Sequence, residues 1–238
     1  MNSFLLSVVK RTLATSTANG AKIAYEVAKA QNKREIARFL AWNFRTEEPI
    51  SRAIGLTESD SDALFDTMVD EALTYPVSVV AYDADGRKSE KLLIGACLCS
   101  VKDMLADKKP SQEAPPIELP YRARKIADFL SLISGDLESV IPPTYRRLVK
   151  LGMINVHPDY LRRGIGNRMM DMSLAQARSI GCQGIFSELT SLRTQAMFSE
   201  AKGYKILRKV YHKDFLDDKG DRVFDCEEDF GSLVFKEI

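Results

Sequence analysis

The stretch LVKLGMINVHPDYLRRGIGNRMMDMSLAQARSI, residues 148–180, decides how the rest of the chain is read. It runs as an apolar strand, a turn through His157-Pro158, a loop holding Arg162-Arg163-Gly164-Ile165-Gly166-Asn167, and then a helix. The glycines let the backbone turn tightly and come close to a ligand with no Cβ in the way. The helix after them aims unpaired N–H groups at whatever occupies the loop, which suits a phosphate. Arg162 and Arg163 add positive charge. The first expectation is therefore a phosphate-bearing ligand held mainly by backbone.

Spacing narrows the choice of ligand. A Walker loop needs Gly-x-x-x-x-Gly-Lys-Ser/Thr, and no such run occurs. A dinucleotide fingerprint needs Gly-x-Gly-x-x-Gly directly after a strand. Here Met169 holds the third glycine position, and the seven residues His157 to Arg163 separate the strand from Gly164.

What the stretch resembles is the acetyl-CoA loop of the GNAT acetyltransferase superfamily. In that family a strand leads into Val-x-Pro-x-Tyr, then Gln/Arg-x-x-Gly-x-Gly/Ala, then a long helix. This chain offers Val156-His157-Pro158-Asp159-Tyr160 and then Leu161-Arg162-Arg163-Gly164-Ile165-Gly166. Leu161 departs from the Gln/Arg position, but the grip is chiefly main-chain and both arginines remain. The resemblance implies an α/β fold with a mixed central sheet of about six to seven strands, its central parallel pair splayed and helices on its flanks. It implies acetyl-CoA as co-substrate, with Ile154, Val156, Arg162, Arg163, Gly164, Ile165, Gly166 and Asn167 binding it. The splayed strands would be Leu148–Val156 and Gly184–Leu189.

Composition sets outer bounds. Of the 238 residues, 45% are hydrophobic and 28% charged, as in a soluble globular protein. The net charge of +1 gives no footing for a nucleic-acid partner. No apolar run reaches bilayer length, so membrane insertion is not expected. Cys97 and Cys99 lie two apart in a strand-like run and point the same way, a poor disulfide geometry. With two histidines and no ligand spacing, no metal site is expected, and the thiols suggest a reducing compartment.

Residues 1–20 read as an N-terminal extension and residues 21–238 as one acetyltransferase domain. The extension is rich in Ser and Thr, carries Lys10 and Arg11, and has no acid; the first is Glu26. Phe4, Leu5, Val8, Val9 and Leu13 fall on one face of a helix, and Arg11-Thr12-Leu13-Ala14 resembles a matrix-protease site. It is similar to a mitochondrial transit peptide, the alternative being a frayed cytoplasmic terminus.

Further along, Lys22–Ala28 reads as a strand. Asn32 and Glu35 read as a capping box for a helix burying Ile36, Phe39, Leu40 and Phe44. A second helix starts near Ser59 or Ser61 and turns Leu64, Phe65, Met68, Val69 and Ala72 inward. Val77–Tyr82 and Leu92–Val101 form a hairpin around Asp83-Ala84-Asp85-Gly86. A proline-rich loop, Lys108–Pro120, precedes a helix over Arg124–Ile133. After Gly184–Leu189 come a short helix, Thr194–Lys202, and strands Lys205–Phe215 and Ser232–Phe235.

Acetyl transfer to an amine needs the ammonium proton removed, the oxyanion stabilised and the thiolate expelled. Phe44-Arg45-Thr46-Glu47-Glu48-Pro49-Ile50 resembles the Phe-Phe-x-Asp-Glu-Pro-Leu run of the arylalkylamine N-acetyltransferase branch, which includes insect dopamine N-acetyltransferases. That branch uses the Glu before Pro as general base through water, which maps to Glu48, with Glu47 beside it. A carboxylate of ordinary pKa, about 4.3, is a weak base and must work through ordered water or be raised by burial. Many superfamily members carry a thiolate-protonating Tyr five residues before the aromatic of a Gly-aromatic pair; here Gly203-Tyr204 is the pair and Ser199 stands at that position. Ser191 and Thr194 are the nearby hydroxyl candidates, and they read equally well as helix caps. Trp42, Phe44 and Tyr75 suit either the walls of an amine pocket or the core.

The function expected is transfer of acetyl from acetyl-CoA to a small primary amine, an arylalkylamine or related biogenic amine, in a ternary complex. A non-catalytic acyl-CoA-binding protein and a protein or peptide N-acetyltransferase are the alternatives.

Overall fold

A computed structural model describes residues 14–18, 21–84, 91–104 and 118–238. The helical face at Phe4–Leu13, the turn residues Asp85-Gly86 and most of the proline-rich loop lie outside the described residues.

One eight-stranded sheet runs through the protein: β1 (Ala14–Ala18), β2 (Ala21–Val27), β3 (Val79–Asp83), β4 (Leu92–Asp103), β5 (Arg147–Val156), β6 (Gly184–Leu189), β7 (Lys205–Tyr211) and β8 (Phe230–Glu237). Its order is β1-β2-β3-β4-β5-β6-β8-β7. Only β5 and β6 are parallel. The six to seven strands expected become eight because Ala14–Ala18 pairs with β2, Ala14 opposite Tyr25 and Ala18 opposite Ala21. The expected boundary at residue 20 thus falls between two paired strands.

Apolar positions alternate along the strands and fill both faces of the sheet. On one face, helices α1 (Lys33–Phe39), α4 (Glu58–Leu73), α5 (Tyr121–Ser134) and the short α6 (Leu137–Val140) bury Ile36, Phe65, Val69, Ile126, Phe129 and Leu137, joined by Leu40 from the turn after α1. On the other, α7 (Ile165–Ser179) buries Ile165, Met169, Met170 and Ala177 against Val79, Ile94, Cys97 and Val149. Cys97 and Cys99 do share this face, their sulfurs 4.0 Å apart and unbridged.

Several local expectations are corrected by hydrogen bonding. Asn32 does not cap α1 with its side chain; its Oδ1 accepts from Lys29 N–H and its Nδ2 donates to the Tyr82 hydroxyl, which in turn donates to Glu35. The 3-10 turn before α1 takes the Asn32 oxygen and Tyr82 takes the Glu35 carboxylate, so the expected capping box does not form. The second helix begins at Glu58, capped by Thr57 in a box with Asp60. The first helix does not run evenly to Pro49. It passes through a π-turn, Leu40–Phe44, where Arg45 N–H reaches the carbonyl of Leu40, and then one last turn, α2 (Arg45–Glu47). The helix expected over Thr194–Lys202 is α8 (Leu192–Met197) followed by a single 3-10 turn. The last two strands are separated by a long loop, 212–229, rather than a tight turn.

Candidate active site

The parallel pair opens partway along its length. Leu148 to Leu151 pair with Gly184 to Ser187, and there the pairing stops. Gly152 is the reason on the β5 side: Leu98 pairs with Met153 and Cys99 with Leu151, so Gly152 is an extra residue that bulges the strand. Beyond it, residues 152–156 have no partner on the β6 side, and β6 continues against β8 alone. The expected splay therefore forms where the resemblance placed it.

One face of this gap is built for an anion. His157 caps a 3-10 turn at Pro158–Tyr160, its Nδ1 accepting from Asp159 N–H at 3.2 Å. Tyr160 donates to Asp83 at 2.6 Å, pinning the loop to β3, and this bond pushes the Tyr160 pKa up. Arg162 has φ +60° and Gly164 φ +73°. Arg162 is the only non-glycine among the described residues in this region. Two left-handed residues around one other turn successive N–H groups to one side, the pattern of an anion-binding nest. The nest opens onto the N-terminus of α7, so the helix dipole adds to it. A Cβ on Gly166 would sit 3.8 Å from Ile154 and 3.9 Å from Val156, which shows α7 starting directly over the end of β5. Ile165 is buried under α7, Asn167 is exposed, Arg163 is tied back to the Asp159 carbonyl and stacked on Tyr160, and Arg162 stands exposed. The eight residues expected to bind the co-substrate thus come together, Arg162 as the outward charge and Arg163 as a brace.

The other face carries Glu48. It stands between α2 and α3 (Pro49–Ala53), is 8% exposed, and caps α3. Its Oε2 accepts from Ser51 N–H at 2.7 Å; its Oε1 accepts from Ile50 N–H at 3.3 Å and from the Thr190 hydroxyl at 2.8 Å. Thr190 comes directly after β6, so this bond ties the carboxylate to the rim of the gap. A carboxylate has about four acceptor directions, and three are used.

The neighbouring candidates separate from it. Glu47 is exposed and lies 3.9 Å from Arg193, a distant surface pair. Ser191 caps α8, its Oγ accepting from Thr194 N–H at 3.2 Å and lying 2.9 Å from Thr194 Oγ1. Both hydroxyls are spent on the cap, and the hydroxyl that touches Glu48 is Thr190, which is not among the residues singled out from sequence. A signal for it exists: Glu188 and Thr190 alternate on one face of an extended segment. Trp42 is 76% exposed, outside the core, and lines an open groove with Phe39, Phe65 and His157. Phe44 packs edge-on against Phe65, and Tyr75 lies under Arg147. Ser199 begins a 3-10 turn, and Tyr204, burial pushing its pKa up to about 12, packs on Phe198 away from Glu48's face.

Three further polar features sit on the Glu48 face. Glu188, its side chain 4% exposed, pairs with Lys150 at 3.1 Å and accepts from Ser134. Asn155, opposite Ala96, keeps its Oδ1 buried and without a hydrogen-bond partner. His212 is buried among Phe129 and Phe224, its Nδ1 3.1 Å from the Cys226 sulfur, and burial lowers its pKa. Among the described residues no cluster of three or more His, Cys, Asp or Glu is placed to hold a metal ion, and no helix is long and apolar enough to cross a membrane.

This geometry agrees with what is known of other proteins. Residues 133–204 match the model of the acetyltransferase (GNAT) family. No curated protein matches this chain in sequence. Among solved structures, arylalkylamine N-acetyltransferase 2 from Aedes aegypti is similar with a TM-score of 0.77 at 17% identity, over 91% of this chain and 99% of that one. A Drosophila melanogaster polyamine N-acetyltransferase that forms N-acetylagmatine gives 0.67 at 18%, over 91% and 99%. The C-terminal condensation domain of Ebony, in complex with β-alanyl-dopamine, gives 0.71 at 18%, over 92% and 100%. At such identities the likeness establishes the GNAT fold. The matched segment spans β5, the nest, α7 and β6, the part of the fold where the sheet opens.

Proposed function

We propose that this protein is a GNAT-type acyltransferase that moves acetyl from acetyl-CoA to a small primary amine, an arylalkylamine or related biogenic amine, by direct attack in a ternary complex. One observation carries the reading. An anion nest stands on one face of the sheet and a buried, hydrogen-bonded carboxylate on the other, and the gap between β5 and β6 joins them.

In this scheme the diphosphate of acetyl-CoA lies in the nest, with Arg162 against its charge. The pantetheine arm runs into the gap and pairs with the open backbone of residues 152–156, one N–H of which meets the thioester oxygen and stabilises the oxyanion. The amine approaches from the Glu48 face. An alkylammonium has no lone pair, so its proton passes first, through water, to the Glu48 carboxylate. Thr190 and the two backbone donors hold that carboxylate in one orientation. The amine nitrogen then bonds to the carbonyl carbon, the carbon–sulfur bond breaks, and the thiolate leaves as coenzyme A, taking through water the proton that the acylated nitrogen gives up. The products are the N-acetylamine and free thiol.

Thiol release from acetyl-CoA, monitored with tyramine, phenethylamine, agmatine and a short peptide, tests the proposal. Amine-dependent release supports it. Binding of acetyl-CoA without release would make the protein a sensor, and preference for the peptide would make it a protein acetyltransferase. The acid-free run before Glu26, with Lys10 and Arg11 in it, supports a mitochondrial location, which mass spectrometry of the mature N-terminus tests.

A further inference from the structure

Beside the Gly152 bulge, between α4, α5 and the strands β4 and β5, lies a cavity of about 370 Å³. That volume lies in the range that encloses small ligands. Leu64, Met68, Leu98, Leu130 and Met153 give it apolar walls. Lys150 and Ser134, with Glu188 behind them, bring polar atoms into one wall of the lining, and Ser100, Ser131 and the exposed Glu71 also line it.

The chemistry of that polar wall is specific. Glu188 neutralises Lys150, so the wall carries no net charge. The ammonium has three N–H donors, and the one ion pair it makes among the described residues is with Glu188. Ser134 gives its proton to Glu188 and keeps its lone pairs. A hydroxyl group can therefore accept from Lys150 and donate to Ser134 Oγ at once. At that pair, away from the exposed Glu71, a cation meets an ammonium and an anion meets a charge already compensated. Ser134 is held in place at the end of α5: Arg208 donates to the carbonyls of Ile133 and Ser134, and Gly135 comes next at φ +47°, where a Cβ would collide with the Arg208 guanidinium.

Position links this wall to the carboxylate. Glu188 and Thr190 are two residues apart on one extended segment, and Thr190 touches Glu48. Two residues of strand span about 7 Å. A ligand nitrogen near Glu48 and a hydroxyl at Lys150 are then separated by roughly a two-carbon arm and an aromatic ring.

We propose that Lys150 and Ser134, backed by Glu188, select acceptor amines whose far end carries an uncharged hydroxyl, the aromatic body filling the cavity. This rests on the amine-acetyltransferase reading above. The test compares tyramine with phenethylamine, which lacks the hydroxyl, and with agmatine, which ends in a cation. Turnover with acetyl-CoA is measured beside calorimetry of each amine on coenzyme A-loaded protein, for the wild type, Ser134→Ala and Lys150→Met. Ser134→Ala removes little and keeps the test sound where Lys150→Met, which strands Glu188, fails to fold. The wild type should favour tyramine over phenethylamine by at least about tenfold in kcat/KM and in affinity, a site that hydrogen-bonds a hydroxyl rejecting its analogue. Ser134→Ala should narrow that ratio to below about threefold. Preferential tyramine binding that Ser134→Ala narrows, with no thiol release from any amine, would sustain the subsite and sink the enzymatic reading. Equal use of the two amines, or a preference unmoved in Ser134→Ala, would sink the subsite while turnover stands. Agmatine outcompeting both, or no amine binding at all, also overturns it.

Discussion

Glu48 is asked to do two jobs, and substitutions can pull them apart. As a helix cap it satisfies Ile50 and Ser51, and as a cleft residue it holds Thr190. Glu48→Gln keeps one acceptor oxygen but turns the other into an amide donor, so at least one of the three donors is left facing another donor. A weakened cap costs about 1 kcal/mol and a buried unpaired donor about 1–3 kcal/mol, together about 2–4 kcal/mol. For a chain of 238 residues that is a fall in Tm of roughly 4–16 °C. Glu48→Asp retains the charge and is a favoured cap, but it is one methylene too short to keep Thr190 in reach. It should stay within about 1 kcal/mol of the wild type. If the carboxylate moves the ammonium proton, Glu48→Gln lowers kcat about 10²–10⁴-fold at saturating acetyl-CoA and amine, and Glu48→Asp recovers stability far more than rate. Denaturant melts and initial-rate thiol release on the same preparations give both quantities. A Glu48→Gln protein that turns over within about threefold of the wild type, once scaled to its folded fraction, would leave Glu48 as a cap and nothing more.

Other expectations are simpler. Gly164→Ala places a side chain at φ +73° with nothing within 4 Å to clash, so its cost is the left-handed strain of about 1–2 kcal/mol, and calorimetry should show weaker coenzyme A binding as the nest relaxes. His212 takes up a proton less readily when folded than when unfolded, because burial lowers its pKa. Stability should therefore be full above its ordinary value of 6.5 and fall as pH drops below it, by at most about 1.4 kcal/mol per pH unit from this group; urea melts at pH 7.5 and 5.5 on wild type and His212→Gln separate this contribution from the carboxylates. Gly231→Ala would drive a Cβ into Ile133 and set it 3.0 Å from Phe129, and overpacking of this kind should cost about 1–3 kcal/mol in a denaturant melt.

The parts legible from sequence are those fixed by short-range rules. The nest needs only glycine at Gly164, an apolar strand before it and an amphipathic helix after it, all within residues 148–180. The split of β5 from β6 is implied by the resemblance, while its local cause, the Gly152 bulge, depends on the register against β4, which no local pattern sets. The features that escape a sequence reading depend on residues far apart in the chain. Thr190 meets Glu48 across 142 positions, and Ser134 meets Glu188 across 54. Asn32 looks like a cap because its local partner, Glu35, is in place; its oxygen goes to Lys29 N–H instead, while Tyr82, 50 positions away, accepts from the Asn32 amide and donates to Glu35. Trp42 suits core or groove by residue type; the π-turn at Leu40–Phe44 sets the phase of that helix and leaves it on an open groove, and no local pattern announces it.

That π-turn also changes what the chain can tolerate in length. Every residue gained or lost in a regular helix swings the downstream residues by about 100° and shifts them by about 1.5 Å. A π-turn is a helix holding one residue more than the α ladder can seat. Shortening the chain by one within Leu40–Phe44 would let the ladder close evenly, with Ile36 still inside and the turn at Pro49 still in place. The same excision in α4, which has no spare residue, would throw Phe65 or Val69 out toward water. A one-residue tolerance thus lies just upstream of the most exacting carboxylate in the protein.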